Sequence, residues 1–243
     1  MRAGTIAKAA LLLFLCAFLF EPELFKGLLA PYARNNAPAI YTQNSLLRLT
    51  INHLVLVGAA TLTATLVAVT LGILTTRAGG REFLPFSRAI ANIGQTFPPV
   101  AVLAIAVPVF GFGSVPTFIA LVLYGLLPIF ENTLTGLTEL DASVVDAGRS
   151  MGMTEPQLLF KVELPLALPV ILSGIRLSTI ISLATATIGS TVAASTLGEV
   201  IVAGLLSGNT AFVLQGGLIV AALAILINSA FVLGEQKLRA KTT

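Results

Sequence analysis

Charged residues divide the chain into long apolar intervals separated by short polar segments. A transmembrane helix needs about 20 apolar residues to cross about 30 Å of hydrocarbon, and several intervals without Asp, Glu, Lys, Arg or His reach that length. They lie between His53 and Arg77, Arg88 and Glu131, Arg176 and Glu199, and Glu199 and Glu235. The second interval is long enough for two spans, interrupted by the Gly- and Pro-containing segment at 111–116.

The N-terminal apolar segment, residues 9–20, reaches spanning length only if it extends back past Lys8. Arg2 and Lys8 precede it, as basic residues precede the core of a secretory signal, but Glu21-Pro22-Glu23 follows in place of a small-residue cleavage site. An uncleaved first helix is favoured over a signal peptide. We therefore predict six spans, at about residues 3–20, 51–75, 88–110, 116–137, 167–192 and 211–234.

Composition supports an all-α polytopic membrane protein. The chain is 56% hydrophobic and 10% charged, with a mean hydropathy of +0.96, whereas soluble domains are roughly 25% charged. The single cysteine, Cys16, excludes an intrachain disulfide and a cysteine metal cluster, so we expect it to pack in an apolar run. With one His and one Cys no metal site is predicted, and the small net charge of +3 predicts no nucleic-acid partner.

The basic residues predict the orientation of the spans. With a cytoplasmic N-terminus, ten basic residues fall on the cytoplasmic side: Arg2, Lys8, Arg77, Arg81, Arg88, Arg149, Lys161, Lys237, Arg239 and Lys241. Only Lys26, Arg34 and Arg48 fall outside. This positive-inside bias predicts that both termini are cytoplasmic, and with them the polar segment at about 138–166.

That polar segment has the pattern of two short helices. The first, from Leu140 to Met151, is predicted to stop at Gly152, which readily adopts a left-handed conformation. Thr154 and Gln157 have capping-box spacing, and the second helix is predicted from Glu155 to about Glu163, ending against Leu164-Pro165. By periodicity alone, this is an ordinary surface connection between two spans.

The spacing D-A-G-x3-G-x9-V-x-L-P, from Asp146 to Pro165, resembles the E-A-A-x3-G-x9-I-x-L-P loop of permeases from bacterial binding-protein-dependent ABC importers. In that family the loop is a coupling helix that docks on a cytoplasmic ATPase. The resemblance implies an ABC importer type I permease fold in one transmembrane domain, 1–243, with a core at 45–235. The implied coupling residues are Asp146, Ala147, Gly148, Gly152, Met153, Leu164 and Pro165. Asp146, Gly148 and Val162 depart from the family's Glu, Ala and Ile.

Further segments are similar to the osmoprotectant branch, which imports glycine betaine, carnitine and choline. They are "GQTFPPVAVLAIAVPVFGFG", "LYGLLPIFENTLTGL", the Ala193–Gly198 form of "GASTLG", and Asn209-Thr210 followed by "VLQGG". The resemblance implies an ATP-binding subunit dimer, an identical or related second permease, an extracytoplasmic binding protein, and a bacterial inner-membrane location in contact with lipid. It implies no cofactor in this chain, with ATP and Mg in the partner ATPase.

Polar residues inside the spans are candidates for the translocation pathway. Gln95, Thr96, Pro98 and Pro99 mark a break in the third span, where prolines remove backbone donors, or a packing kink in which Gln95 bonds a neighbouring helix. In the fifth span Ser178, Ser182, Thr185 and Gly189 are predicted on one helical face, suited to close packing or to a weakly polar conduit.

Three isolated titratable residues have structural interpretations as well. Glu131, with Asn132, lies toward the cytoplasmic end of the fourth span, and we expect it to pair with Arg176. His53 is expected at the outer membrane interface. Glu199 falls in residues 197–209, for which a short helix on the outer face is predicted, where a binding protein would arrive.

Two other functional classes fit less well. A secondary transporter is expected to have internal repeats and mid-membrane carboxylates. Among importers, an ABC permease for another small solute, such as an amino acid, stays open as an alternative. An intramembrane enzyme is disfavoured, since one His, one Cys and no HExxH or GxSxG motif provide no nucleophile–base pair. Without a GxxxxGK[ST] loop, a non-catalytic subunit driven by a separate ATPase is predicted.

Overall fold

The computed structural model describes residues 2–33 and 37–242, which form helices and contain no strand. Eleven α-helices are found in the described residues: α1 Arg2–Phe20, α2 Lys26–Leu29, α3 Leu46–Thr76, α4 Leu84–Thr96, α5 Pro99–Phe110, α6 Ser114–Thr138, α7 Ala142–Ser150, α8 Glu155–Leu158, α9 Leu164–Thr185, α10 Gly198–Ser207 and α11 Thr210–Thr242. Short 3₁₀ turns occupy Pro22–Phe25, Ala30–Tyr32, Arg81–Phe83 and Ile188–Val192, and a π-helical turn occupies Leu159–Glu163. Arg34, predicted outside the membrane, lies outside the described residues.

By length and apolar composition, four continuous helical segments of the described chain are suited to cross a bilayer: Leu46–Thr76, Ser114–Thr138, Glu155–Thr185 and Thr210–Leu238. Two bent pairs, Gly4–Phe20 with Pro22–Tyr32 and Arg81–Thr96 with Pro99–Phe110, bring the number to six if each pair is one span. The all-α multi-span prediction is confirmed. The segments predicted as the first and third spans are therefore bent pairs of helices.

The chain forms two compact units, which are described separately. Unit 1 comprises Met1–Ala59, Pro98–Leu121 and Ser182–Ser229, and unit 2 comprises Ala60–Phe97, Val122–Ile181 and Ala230–Thr243. In unit 1, the core is aliphatic and aromatic, from α1, α2, the start of α3, α10 and the first part of α11; it includes Phe18, Leu29, Leu49, Leu197, Val200, Phe212 and Ile219. The rings of Phe14, Phe18 and Phe25 lie 4.6 to 5.5 Å apart.

Unit 2 is packed through small residues that let helices approach closely. Ala64 and Ala68 of α3 and Ala91 of α4 are buried with Ile129 and Phe130 of α6. Glycines make the closest contacts: a Cβ on Gly94 would lie 2.1 Å from the Leu123 carbonyl oxygen, and one on Gly174 would lie 2.7 Å from that of Pro128. Such contacts are typical of helix pairs in membranes, where small residues allow close backbone approach.

Candidate coupling loop and pathway residues

The polar segment of unit 2 folds as a helix-turn-helix. The Asp141 carboxylate caps α7 by accepting a hydrogen bond from the Ser143 N–H at 2.9 Å, and this bond lowers the pKa of Asp141. At the other end the Gly152 N–H donates to the Arg149 carbonyl at 2.9 Å and the Met153 N–H to that of Gly148 at 3.2 Å. This pair of bonds is a Schellman motif, and the predicted turn at Gly152 is confirmed by its φ of 78°.

The second helix begins as predicted and ends differently. Thr154 and Gln157 form the capping box, in which the Thr154 N–H donates to Gln157 Oε1 at 3.0 Å. The predicted end at Leu164-Pro165 is wrong, because the Leu164 N–H donates to the Leu159 carbonyl and a π turn carries the helix into α9. Pro165 is then the second residue of α9 and lies within a continuous helical segment, Glu155–Thr185.

The predicted coupling residues divide by exposure. Asp146, Ala147 and Gly152 are exposed, Met153 is half-buried and Met151 is 71% exposed at the vertex. Gly148 is buried instead: a Cβ there would lie 2.7 Å from Leu158 Cδ1, so this glycine lets α7 pack on α8. Of the last two predicted residues, Leu164 is half-buried and Pro165 exposed.

A cavity of about 800 Å³ lies beside the loop within unit 2. Its lining is charged and includes Arg77, Arg81, Asp146, Arg149, Glu155 and Glu163. An Arg77 Nη donates to Glu163 Oε2 at 2.5 Å, with side-chain exposures of only 29% and 8%. This buried ion pair ties the segment after α3 to the π turn. The pair was not predicted from the sequence, although both residues stand at the edge of an apolar run.

Two other ion pairs in unit 2 correct the predicted partner of Glu131. Glu131 of α6 accepts two hydrogen bonds from Arg88 of α4, at 2.6 and 3.0 Å, and does not pair with Arg176. Arg176 of α9 lies 2.8 Å from the carboxylate of Glu235 in α11. Because Arg88 and Glu131 are 43 residues apart, their pairing depends on how α4 packs on α6, which the sequence pattern does not encode.

The third span is broken at Phe97, as the prolines predict. Phe97 has extended backbone angles, φ −93° and ψ 138°, as residues before proline prefer. Its carbonyl accepts a hydrogen bond from the Tyr124 hydroxyl, and Gln95 Nε2 donates to the Tyr124 carbonyl at 3.0 Å. The helix is therefore broken and Gln95 bonds a neighbouring helix, so the two structural features occur together. Thr96 bonds its own helix at Asn92.

The predicted small-residue face of the fifth span is shorter than expected. Ser178 and Ser182 are fully buried and Thr185 ends α9, so Gly189 does not share that helical face. The chain after Thr185 makes 3₁₀ bonds, and the Thr196 hydroxyl donates to the Ala186 carbonyl at 3.0 Å, just beyond the end of α9. Gly189 instead packs on Thr117, within 2.4 Å of where a Cβ would lie.

Unit 1 contains a hydrogen-bonded cluster around Tyr41, in which Glu199 is the one charged acceptor. The Tyr41 N–H donates to Gln215 Oε1 at 3.0 Å, and its hydroxyl donates to Glu199 Oε1 at 2.6 Å. Burial above all, and then the bond to the Glu199 carboxylate and its charge, raise the pKa of Tyr41. Glu199 lies in α10, so the predicted short helix is confirmed. Asn209 Nδ2 donates to the Pro38 carbonyl at 2.9 Å.

His53 is the residue that we predicted at the outer membrane interface. Its side chain is fully buried in unit 1, where Nε2 lies 3.1 Å from the Leu183 carbonyl oxygen. Among the residues the structure describes, no group of three or more His, Cys, Asp or Glu side chains is arranged to hold a metal ion.

Residues 68–240 match the family described as "Binding-protein-dependent transport system inner membrane component". The chain is 40% identical over 187 residues to the osmoprotectant import permease protein OsmY of Salmonella typhimurium, covering 77% of this chain and 79% of that one. It is 38% identical to the choline transport system permease protein OpuBB of Bacillus subtilis, over 79% of this chain and 88% of that one. The carnitine transport permease protein OpuCB of Listeria monocytogenes is also 38% identical, over 81% of this chain and 88% of that one.

The fold is similar to that of a solved importer. A chain of the inward-facing MetNI methionine ABC transporter aligns with a TM-score of 0.70, covering 79% of this chain and 95% of that chain. The sequence identity is 22%, so this likeness supports the fold alone.

Proposed function

The chain belongs to the family of binding-protein-dependent transport system inner membrane components, and from that premise we propose that it is the permease subunit of an ATP-driven importer for a compatible solute. The solute class is a small quaternary ammonium compound such as glycine betaine, carnitine or choline. The names of relatives at 38–40% identity over most of the chain support this class. The permease carries no cofactor and no catalytic residue of its own.

The exposed turn at Gly152 is the observation that carries the proposal. Its Schellman geometry projects Met151 and Gly152 from the end of α7, and flexible methionine side chains repack readily against a partner surface. We assign Asp146, Ala147, Gly152 and Met153 to contact with an ATP-binding subunit, with Gly148 shaping the turn beneath them. Leu164 and Pro165, directly after the π turn, transmit the movement of the loop into α9.

The importer assembly follows from the same assignment. Two permeases, identical or related, are served by a dimer of ATP-binding subunits, which supply ATP and Mg, and by an extracytoplasmic binding protein. Both termini and the loop face the cytoplasm, in agreement with the positive-inside bias of the basic residues. Glu199, in α10, lies on the outer side in this orientation, where the binding protein delivers the solute.

Solute movement by alternating access requires helices that change shape near the pathway. The break at Gln95, Thr96, Pro98 and Pro99 and the hydroxyl groups of Ser182 and Thr185 are assigned to that pathway, with Gly189 in the turn that follows α9. A broken helix inside a membrane protein is tolerated where its backbone groups are satisfied within protein, and the bond from the Tyr124 hydroxyl satisfies the Phe97 carbonyl at the break.

Reconstitution in proteoliposomes tests the proposal. The purified permease, its ATP-binding subunit and its binding protein are combined, and uptake of labelled glycine betaine is measured with ATP inside the vesicles. We expect uptake only when all three proteins and ATP are present. Uptake by the permease alone, driven by an ion gradient, would contradict the ATP-driven mechanism.

A further inference from the structure

A second cavity, of about 340 Å³, lies within unit 1 and takes no part in the assignments above. It is lined by Asn52, Val55, Leu56 and Ala59 of α3, by Ser114 at the start of α6, and by Ser195. Small-molecule sites are typically concave and mostly apolar, with a few convergent polar groups, and their volumes start at about 300 Å³. The cavity has that composition: one apolar wall, one amide and two hydroxyl groups.

Ser195 lines this cavity, and the segment around it is strained and held by hydrogen bonds. Ala193 has a φ of 65°, the only non-glycine residue with positive φ in the described ranges, and such outliers persist only where surrounding contacts enforce them. Thr196 provides those contacts: its hydroxyl lies 2.8 Å from Ser190 Oγ and accepts a hydrogen bond from the Gly198 N–H at 3.2 Å. The Gly113 N–H donates to the Val192 carbonyl at 2.7 Å, which fixes the segment beside the start of α6.

Two polar side chains of the cavity, Asn52 and Ser195, form only a weak hydrogen bond with each other. Asn52 Nδ2 lies 3.4 Å from Ser195 Oγ, beyond the usual range for a strong hydrogen bond. Asn52 and Ser195 are both half-buried. A ligand that accepts hydrogen bonds from them therefore displaces only the weak bond between the two side chains. Ser114 adds the first turn of a 25-residue helix, whose positive end favours an anionic group.

We infer that the cavity of Asn52, Ser114 and Ser195 is a transient solute site, which receives the carboxylate of a small zwitterion while its methylated ammonium group lies against Val55, Leu56 and Ala59. The inference rests on the proposed function and adds the residues that meet the solute in the permease. The site contains no charged side chain, so it holds a carboxylate weakly. Weak binding suits a transport pathway, because the solute must leave the site as readily as it enters.

Uptake of labelled glycine betaine by the complete importer in proteoliposomes tests the site, with ATP hydrolysis stimulated by loaded binding protein as the second readout. For Ser195→Ala we expect an about tenfold lower uptake rate, the effect of losing one hydrogen bond to a charged group, with stimulated ATP hydrolysis within about twofold of wild type. Ser195→Thr, which keeps the hydroxyl group, restores uptake. Ser207→Ala is the matched control, since its hydroxyl bonds only its own helix, at Ala203 and Gly204.

Asn52→Asp tests the carboxylate assignment with almost no change in shape. A negative charge facing the solute carboxylate is expected to lower uptake more than Ser195→Ala does, at unchanged assembly with the ATPase. Uptake by Asn52→Asp that equals or exceeds wild type would place the ammonium end in the cavity and overturn the assignment.

The outcomes separate the two proposals. A wild-type importer that takes up none of labelled glycine betaine, carnitine and choline contradicts the proposed solute class. Uptake of choline alone, which has no carboxylate, contradicts the site and leaves the solute class in place. Wild-type uptake with Ser195→Ala unchanged contradicts the site alone. Uptake and stimulated ATP hydrolysis that fall together in Ser195→Ala, without rescue by Ser195→Thr, assign the residue a structural role and also overturn the site.

Discussion

The two compact units of the chain are stabilised by different polar contacts. Unit 2 pairs opposite charges, Arg77 with Glu163, Arg88 with Glu131 and Arg176 with Glu235. Unit 1 joins its segments through Tyr41, Gln215, Asn209 and the Thr196 hydroxyl, with Glu199 as the one charged acceptor in that cluster.

This difference predicts which substitutions each unit tolerates. A buried charge that loses its partner is costly, whereas a lost hydrogen bond between uncharged groups costs about 1 kcal/mol. Unit 2 also contains the charged loop assigned to the ATPase, so its stability and its proposed coupling role depend on neighbouring residues. Unit 1 contains the uncharged cavity proposed as a solute site, where an added charge is expected to disturb passage of a zwitterion.

The largest expected effect is in the buried ion pair of unit 2. Glu163→Ala leaves Arg77 without its carboxylate and is expected to lower the free energy of unfolding by about 3 kcal/mol. The measurement is thermal unfolding of the purified permease in detergent micelles. Glu155→Ala is the control: its carboxylate is 64% exposed and 3.5 Å from Arg149, and we expect no change in midpoint. Equal midpoints for the two variants would contradict the account of unit 2.

A smaller loss is expected in unit 1. Tyr41→Phe removes the hydroxyl group that donates to Glu199 and is expected to cost about 1.5 kcal/mol, the value for a hydrogen bond to a charged group. Tyr32→Phe, at a side chain that is 50% exposed, serves as the control in the same unfolding assay. A loss as large as that of Glu163→Ala would remove the contrast between the units.

Gly148→Ala tests the packing of the loop itself. The new methyl group would lie 2.7 Å from Leu158 Cδ1, the flexible end of a side chain, so we expect a cost of about 1 kcal/mol. Gly79→Ala, at an exposed turn with open space around the Cβ position, should leave the unfolding midpoint unchanged. A stabilised Gly148→Ala variant would show that α7 and α8 have room for the family's usual alanine.

The smallest effect is a pH dependence specific to unit 1. The pKa of Tyr41 is raised in the folded state, so the protonated phenol is favoured there, and the stability it contributes is present below about pH 10 and lost as the pH rises above it. Between pH 10 and 10.5 we expect wild type to lose about 0.5 kcal/mol more than Tyr41→Phe. Unfolding midpoints of both proteins across that interval measure the difference, and parallel curves would contradict it.

Features encoded in short sequence segments were predicted well. The Gly152 turn, the Thr154–Gln157 capping box and the break at Pro98 each depend on a few adjacent residues whose backbone preferences are strong. Helix α10 was also found, because an apolar segment between glycines is a local signal.

Features that depend on packing were predicted poorly. Glu131 pairs with Arg88 rather than Arg176, His53 is buried, and α9 ends before Gly189, all of which depend on contacts between segments far apart in the chain. The continuous helix through Pro165 was missed because a π turn has no clear sequence signal. A proline normally ends a helix, but here the helix continues through Pro165 after the π turn. The cavity at Asn52 and Ser195 arises from residues 143 positions apart, and no local pattern predicts it.

The central claim, that the exposed turn at Gly152 attaches the permease to its ATPase, is tested most directly by comparing two substitutions at that residue. Asn tolerates the φ of 78°, and the Cβ of either residue enters open space, so Gly152→Asn and Gly152→Asp differ mainly in charge. We predict that Gly152→Asn assembles with the ATPase and imports at near the wild-type rate. Gly152→Asp should lose about tenfold or more in ATP-driven uptake and ATPase co-purification at an unchanged unfolding midpoint, because an unpaired charge is costly in a buried interface. Full assembly and coupled uptake by Gly152→Asp would contradict the claim.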